Sequence, residues 1–176
     1  MRRIRYSVAM SLDGYIAGPG DEFDWIVMDP DIDFARLSEQ FDTYLLGRRT
    51  FEVTRSHGQA AIPGARTYVF SRTLRQSDYD DVMIVGENWR QVVQSLREEE
   101  GKDIWLFGGG SLFRSLAEEG FVDTVEVAII PIVLGGGVPF VAAPTPRITL
   151  TLKEHTVYKK TGTIWLVYAV NDANQS

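Results

Sequence analysis

Four short stretches carry residue types suited to a phosphorylated ligand. The first is GRRTFE, Gly47 to Glu52, which follows the apolar run Tyr44-Leu45-Leu46. A glycine lets a phosphate approach the backbone. Thr50 can cap the helix that follows, whose free N–H groups and dipole favour an anion. Arg48 and Arg49 add planar donor forks that match phosphate geometry. The plainer account is a capped helix with two solvated arginines. The second stretch is Ser71-Arg72-Thr73, after Tyr68-Val69-Phe70. A hydroxyl beside a guanidinium suits a phosphate monoester, and an ordinary polar strand exit explains it equally. The third is Gly86-Glu87-Asn88, where a small residue leaves room for a flat base or ribose, or where Asn88 simply caps a helix. The fourth is Gly108-Gly109-Gly110 followed by Ser111 and Leu112. It fails as a dinucleotide fingerprint, because Phe113 stands where the third glycine belongs, and no Gly-Lys-Ser/Thr follows to make a lysine phosphate loop. Three glycines at a strand exit still point to close approach by a ligand or to unusual backbone.

These stretches gain force from their placement. Apolar runs at Ile4–Met10, Thr43–Leu46, Thr67–Phe70, Val82–Val85, Ile104–Phe107 and Thr124–Ile130 read as strands. Helical patterns at Asp31–Phe41, Thr50–Thr54, Trp89–Glu99 and Ser111–Glu119 lie between them. The alternation predicts an α/β fold, a mainly parallel central sheet with helices on both faces. Short all-apolar strands fit burial on both sides. Arg147–Val157 and Thr163–Val170, joined by KKTG, read as a C-terminal antiparallel hairpin. Both faces of the last strand are apolar, so a helix layer or a second subunit is expected to cover them. In an open parallel sheet, ligands bind beyond the carboxyl ends of the strands. All four stretches stand there, and one nucleotide lying across the sheet edge would explain them together.

The bulk composition narrows the function classes. The 176 residues suit a single domain over 1–176. Hydrophobic content of 44% and charged content of 24% are ordinary for a globular chain. A net charge of −6 without a basic run argues against nucleic acid as a partner. The chain has no cysteine, and its two histidines, His57 and His155, stand in no ligand pattern, so no metal site is expected. No apolar stretch spans a bilayer, and a cytoplasmic protein without a membrane partner is expected.

The order SLDGYIAG, GRRTFE, FSRT, LFGGGSLF resembles the dihydrofolate reductase superfamily. With PIVLGGGVPF, Pro131 to Phe140, it is most similar to the branch of the riboflavin-biosynthesis reductase domain (the RibD C-terminal domain). The resemblance runs from about Ile4 to Val170. It implies a dihydrofolate reductase-like fold and NADPH as cofactor. Gly47, Arg48, Arg49 and Thr50 would then hold the pyrophosphate. Ser71 and Arg72 would read the 2′-phosphate and the adenosine side. Gly108, Gly109, Gly110, Ser111 and Leu112 would close on the pyrophosphate and nicotinamide ribose. Ala9 and Ile16 would line the nicotinamide pocket. In that family the first glycine pair is joined by a cis peptide, so Gly108–Gly109 is expected to be cis.

The substrate side is less determined. Counting back from GRRT places Asp31 where the family's pterin-binding carboxylate stands, with Asp33 one helical step away. Asp31 is thus the candidate catalytic acid, and aspartates at a plain helix start are the alternative. Asp13 in SLDG reads as an aspartate-glycine turn. Trp25 and Phe34, with Tyr15, are candidate substrate-pocket aromatics. Two departures argue against folate itself: the folate-tail arginine position falls on Ala65, and DEFDW replaces the usual Pro-Trp loop. The expectation is an NADPH-dependent reductase of a small pterin-like or ribosylamino-pyrimidine-like heterocycle. A non-catalytic NADPH-binding module and a purely structural assembly protein are the alternatives. The doubly apolar last strand and the family both point to a homodimer.

Overall fold

A computed structural model describes residues 1–58 and 64–171. Its centre is an eight-stranded sheet. In chain order the elements are β1 (Ile4–Ser11), β2 (Tyr15–Ala17), α1 (Phe34–Ser38), β3 (Phe41–Gly47), α2 (Arg48–Ser56), β4 (Arg66–Phe70), β5 (Met83–Val85), α3 (Trp89–Glu98), β6 (Asp103–Gly108), α4 (Gly110–Glu118), β7 (Thr124–Ile130), β8 (Val138–Pro139), β9 (Leu150–Tyr158) and β10 (Thr163–Val170). The sheet order is β5-β4-β3-β6-β1-β7-β10-β9. The first six of these are parallel, and β10 and β9 are antiparallel. The parallel sheet and the terminal hairpin are those expected from the sequence.

Strand alternation divides the interior into two layers. On one face Ile4, Tyr6, Leu45, Ile104 and Leu106 meet Val93 and Leu96 of α3 and Leu112, Phe113 and Leu116 of α4. The Tyr6 ring stacks on Phe113 at 4.2 Å, and its hydroxyl donates to Phe140 O at 2.8 Å. On the other face Tyr44, Leu46 and Trp105 meet Phe51 of α2, with Leu37 of α1 packed against them. On this second face Arg5 and Glu126 are buried and joined by two hydrogen bonds of 2.6 and 2.9 Å, so each neutralises the other.

Two elements differ from the sequence reading. The helix expected over Asp31–Phe41 is only Phe34–Ser38, because Asp33 caps it by accepting from Arg36 N and Phe41 turns into the core as the first residue of β3. The residues before it are drawn elsewhere. Asp29, 1% exposed, accepts from Thr161 N and Oγ1 at the end of the β9–β10 hairpin, and Asp31 pairs with Lys160 Nζ at 2.6 Å. The second difference is a small antiparallel sheet, β2–β8, that no sequence period signalled. Asp13 fastens it by accepting from Ser11 Oγ, Leu134 N and Gly135 N, which ties the SLDG turn to the VLGGG segment. Gly137 is required here: at φ +143 a Cβ would stand 2.1 Å from Ala17 O.

The last strand is covered unevenly. Tyr168 and Val170 pack on the first layer, while Ile164 on the same face stays 37% exposed beside Val157 of β9. Among the described residues no helix is long and apolar enough to cross a membrane, and no three His, Asp or Glu side chains gather as a metal site.

Candidate functional site

The parallel strands end at one edge of the sheet, and a cavity of about 1080 Å³ runs along that edge and down the α1–α2 face. Two helices begin at its wall. α2 follows Gly47 and α4 follows Gly109; neither has a side-chain cap. Arg48, Arg49 and Thr50 in the first turn of α2 line the cavity, as do Gly110, Ser111 and Leu112 in the first turn of α4. Two uncapped, electropositive helix ends therefore converge on one space, an arrangement that fits a diphosphate. The expectation that Thr50 caps its helix is corrected: α2 starts two residues earlier, at Arg48, and Gly47 takes the cap position.

The three glycines do different things. The peptide between Gly108 and Gly109 is cis, as expected, and Gly108 has φ +135. Gly108 is buried behind the wall, whereas Gly109 lines it. Gly110 is a packing glycine. A Cβ there would lie 2.6 Å from Pro139 O and 2.8 Å from Phe140 O, both backbone atoms. So the LFGGG and VLGGGVPF segments meet directly, which the sequence did not show. At Gly47 a Cβ would make only ordinary contacts of 3.6 Å, and at Gly86 it would meet nothing within 4 Å. Neither glycine is demanded by the protein's own packing, and both face the cavity.

Charge gathers at the exits of β3, β4 and β5. Arg48 Nη1 donates to Thr73 Oγ1 at 3.4 Å, which brings GRRT and SRT together. Ser71 Oγ accepts from Thr73 N and Leu74 N, shaping the turn that carries Arg72. Ser71 and Arg72 both line the cavity, and the Arg72 guanidinium has no ion-pair partner among the described residues. Arg49 is held by Asp21 at 2.7 Å.

The opposite end of the cavity has another character. Ala9, Ile16 and Phe34 line it, joined by Trp105 of β6, Ala128 of β7, Trp165 of β10, and Met28, Ile32 and Leu37 from the segment before and within α1. Asp31 is not brought there. Its carboxylate is turned to Lys160, and it does not stand on the cavity wall. Trp25 lines a separate cavity of about 330 Å³ with Ile130, Pro131 and Thr161, because the chain from residue 25 to 31 crosses to the hairpin end. Tyr15 does not line the main cavity either. Sequence reasoning missed Ser7, Trp105 and Trp165. Ser7 had left a signal, a polar residue inside an apolar strand.

The match to known proteins agrees with this architecture. A family model described as the RibD C-terminal domain matches residues 2–163. The chain belongs to that family. The uncharacterized protein YyaP of Bacillus subtilis is 34% identical over 97% of this chain and 96% of its own length. A putative riboflavin biosynthesis protein from Shewanella superposes with a TM-score of 0.82 at 24% identity, covering 98% of this chain and all of that one. Dihydrofolate reductase from Enterococcus faecalis, complexed with NADP(H) and RAB-propyl, superposes with a TM-score of 0.70 at 18% identity over 97% of both chains. At these identities the structural likenesses establish the fold, which is dihydrofolate reductase-like.

Proposed function

We propose that the chain is an NADPH-dependent reductase of a small heterocyclic molecule. The observation that carries this reading is the convergence of the uncapped α2 and α4 N-termini on a glycine-lined space, with Arg48 and Arg72 at one end and an aromatic chamber at the other. The first turns of α2 and α4 would hold the diphosphate. Ser71 and Arg72 would take the 2′-phosphate, and Gly86 would leave room for the adenosine. Ala9, Ile16 and Gly109 would bound the nicotinamide. When bound, NADPH supplies a hydride to the carbon of a C=N or C=O bond; a proton from solvent completes the reduction at the heteroatom, leaving NADP⁺. The protein's part is to orient the two reactants and to keep water away. The β2–β8 flap, fastened by Asp13, serves the second task.

A second reading rests on one observation. The carboxylates that the sequence offered near the substrate are engaged elsewhere, Asp31 with Lys160 and Asp33 with Arg36 N, and Asp13 of the SLDG turn is held by Leu134 and Gly135. A module that binds NADPH without turning it over would look the same. Titrating the protein with NADPH and NADH by tryptophan fluorescence tests the common part; NADPH is expected to bind more tightly. Following the reduced-nicotinamide absorbance with a panel of pterins and aminopyrimidines separates the two readings, since tight binding with no oxidation of any panel member sinks the enzyme. The same proposal includes a homodimer in a soluble setting. Leu150, Leu152, Val157 and Ile164 are exposed on the β9–β10 hairpin, and a second copy would cover them. Sedimentation velocity on the wild type and on Leu152→Lys checks this, with a shift to monomer expected for the variant.

A further inference from the structure

The two ends of the cavity differ in charge, and that difference bears on what the substrate is. The charged residues on its wall, apart from His57, are Asp21, Arg48, Arg49, Arg72, Glu87 and Arg114. Arg48, Arg49, Arg72 and Glu87 follow β3, β4 and β5; Arg114 is on α4, and Asp21 is paired to Arg49. The chamber over β6, β1, β7 and β10 has none of them. Its wall is Trp105, Trp165, Phe34, Met28, Ile32 and Leu37. His57, at the far end of α2, is exposed and turns Nδ1 back to Val53 O at 2.9 Å. Arg5 and Glu126, buried beside Ser7 on this face of the sheet, already satisfy each other.

One polar side chain enters this chamber from the sheet. Ser7 lies on β1 between Arg5 and Ala9 on the same face, and its Cα is in register with Glu126. The residue is 3% exposed, yet it lines the cavity. Its hydroxyl makes no hydrogen bond among the described residues. Its carbonyl accepts from Trp105 Nε1 at 2.8 Å, which fixes the indole beside it. The next pair toward the strand exits, Ala9 and Ala128, is small and leaves space between Ser7 and the Gly109 end. The Ser7 hydroxyl is open to the cavity, so a ligand acceptor that displaces solvent there can accept its hydrogen bond. An ionised group in the same chamber would meet no counter-charge.

Resting on the reductase reading above, we propose that this chamber takes a neutral, flat, unphosphorylated heteroaromatic molecule, and that Ser7 Oγ positions it by donating a hydrogen bond to a ring nitrogen. The aromatic walls supply stacking area, and the single hydroxyl sets the orientation. Specificity follows by exclusion: phosphorylated or carboxylate-bearing heterocycles lose their hydration without gaining a partner.

Equilibrium dialysis of three probes against NADP⁺-loaded protein tests this. Quinoxaline is neutral, flat and has acceptor nitrogens; naphthalene is its isostere without them; quinoxaline-2-carboxylate adds one charge. Quinoxaline is expected to bind about ten-fold more tightly than either of the others, the size of one well-made buried hydrogen bond or one unpaired charge. Ser7→Ala should bring quinoxaline to the naphthalene level while the carboxylate stays weak, and Ser7→Thr should restore the difference. The hydroxyl has no protein partner, so the alanine variant is expected to melt with the wild type. Tighter binding of the carboxylate, a quinoxaline preference that survives Ser7→Ala, or no saturable quinoxaline binding would each overturn the proposal. NADP⁺ retention is read in the same cells, and the probes are also dialysed without nucleotide. Loss of NADP⁺ binding alone therefore counts against the cofactor reading and leaves the chamber result standing.

Discussion

The exits of β3, β4 and β5 and the chamber over β1, β7 and β10 belong to one cavity but are built by opposite rules. The first region is local. Each of its residues stands within a few positions of a strand end, and the helix that follows supplies backbone donors. The second is assembled from afar: Ser7, Met28, Phe34, Trp105, Ala128 and Trp165 come from six separate places in the chain. A local arrangement is fixed by the strand-turn-helix unit itself. A distributed one depends on long-range hydrogen bonds such as those of Asp29 to Thr161, and can change character while the fold persists. The contrast also has a chemical side. A diphosphate demands the same donors in any chain, whereas a chamber wall need only match one substrate.

Perturbations that strike one region and spare the other sharpen this contrast. The largest effect is expected where both meet, at Gly110. A valine there forces its Cβ into Pro139 O and Phe140 O, and a loss of about 3 kcal/mol of stability in urea unfolding is expected, as for overpacked cores. Unchanged stability would mean that the two glycine segments do not touch. Next is Arg72→Ala, which should weaken NADPH about ten-fold, as expected for a lost charge-assisted bond on an exposed side chain, with little effect on NADH. An equal loss for both nucleotides would place Arg72 away from the 2′-phosphate. Asp29→Ala comes third. Burial pushes this carboxyl up, but the hydrogen bonds from Asp31 N and Thr161, with Lys160 nearby, outweigh it and hold it below its usual range. The variant should lower the melting temperature and weaken substrate-side ligands while leaving NADPH affinity intact. Equal weakening of both would join the two regions into one unit.

The smallest effect concerns the flap. The Ser11 hydroxyl, with the N–H groups of Leu134 and Gly135, holds the Asp13 carboxyl below its usual range. A depressed folded value means that the stabilisation is present above the unfolded pKa, about 3.9, and is lost as the pH falls through the folded value. The melting-temperature difference between wild type and Asp13→Asn should therefore shrink below about pH 4. A difference constant down to pH 2 would show that the carboxylate's charge plays no part.

Legibility in the sequence followed the same divide. GRRT, SRT and GGGS stood out because glycine, hydroxyl and arginine at a strand exit have few local uses besides turns and anions. Their convergence was inferable from parallel topology alone. Asp31 misled because its helical context was judged locally, and a lysine more than a hundred residues away decided where its carboxylate points. Trp25 likewise stands where the contact of Asp29 with the distant Thr161 places its segment, on the second cavity. Ser7 was overlooked because one serine in a strand is commonplace until its neighbours on the same face are known.

The sequence by itself determined the order of strands and helices, the parallel class of the sheet, and the glycine, hydroxyl and arginine residues at its strand exits. Hydrophobic period, turn chemistry and helix starts are short-range properties, written in consecutive residues. Tertiary structure alone decided that Gly110 packs on Pro139 and Phe140, that Asp13 ties SLDG to VLGGG, and that an unpartnered serine opens into an uncharged aromatic chamber. Those facts depend on which side chains a distant strand places on the same face, and no window of the chain contains both.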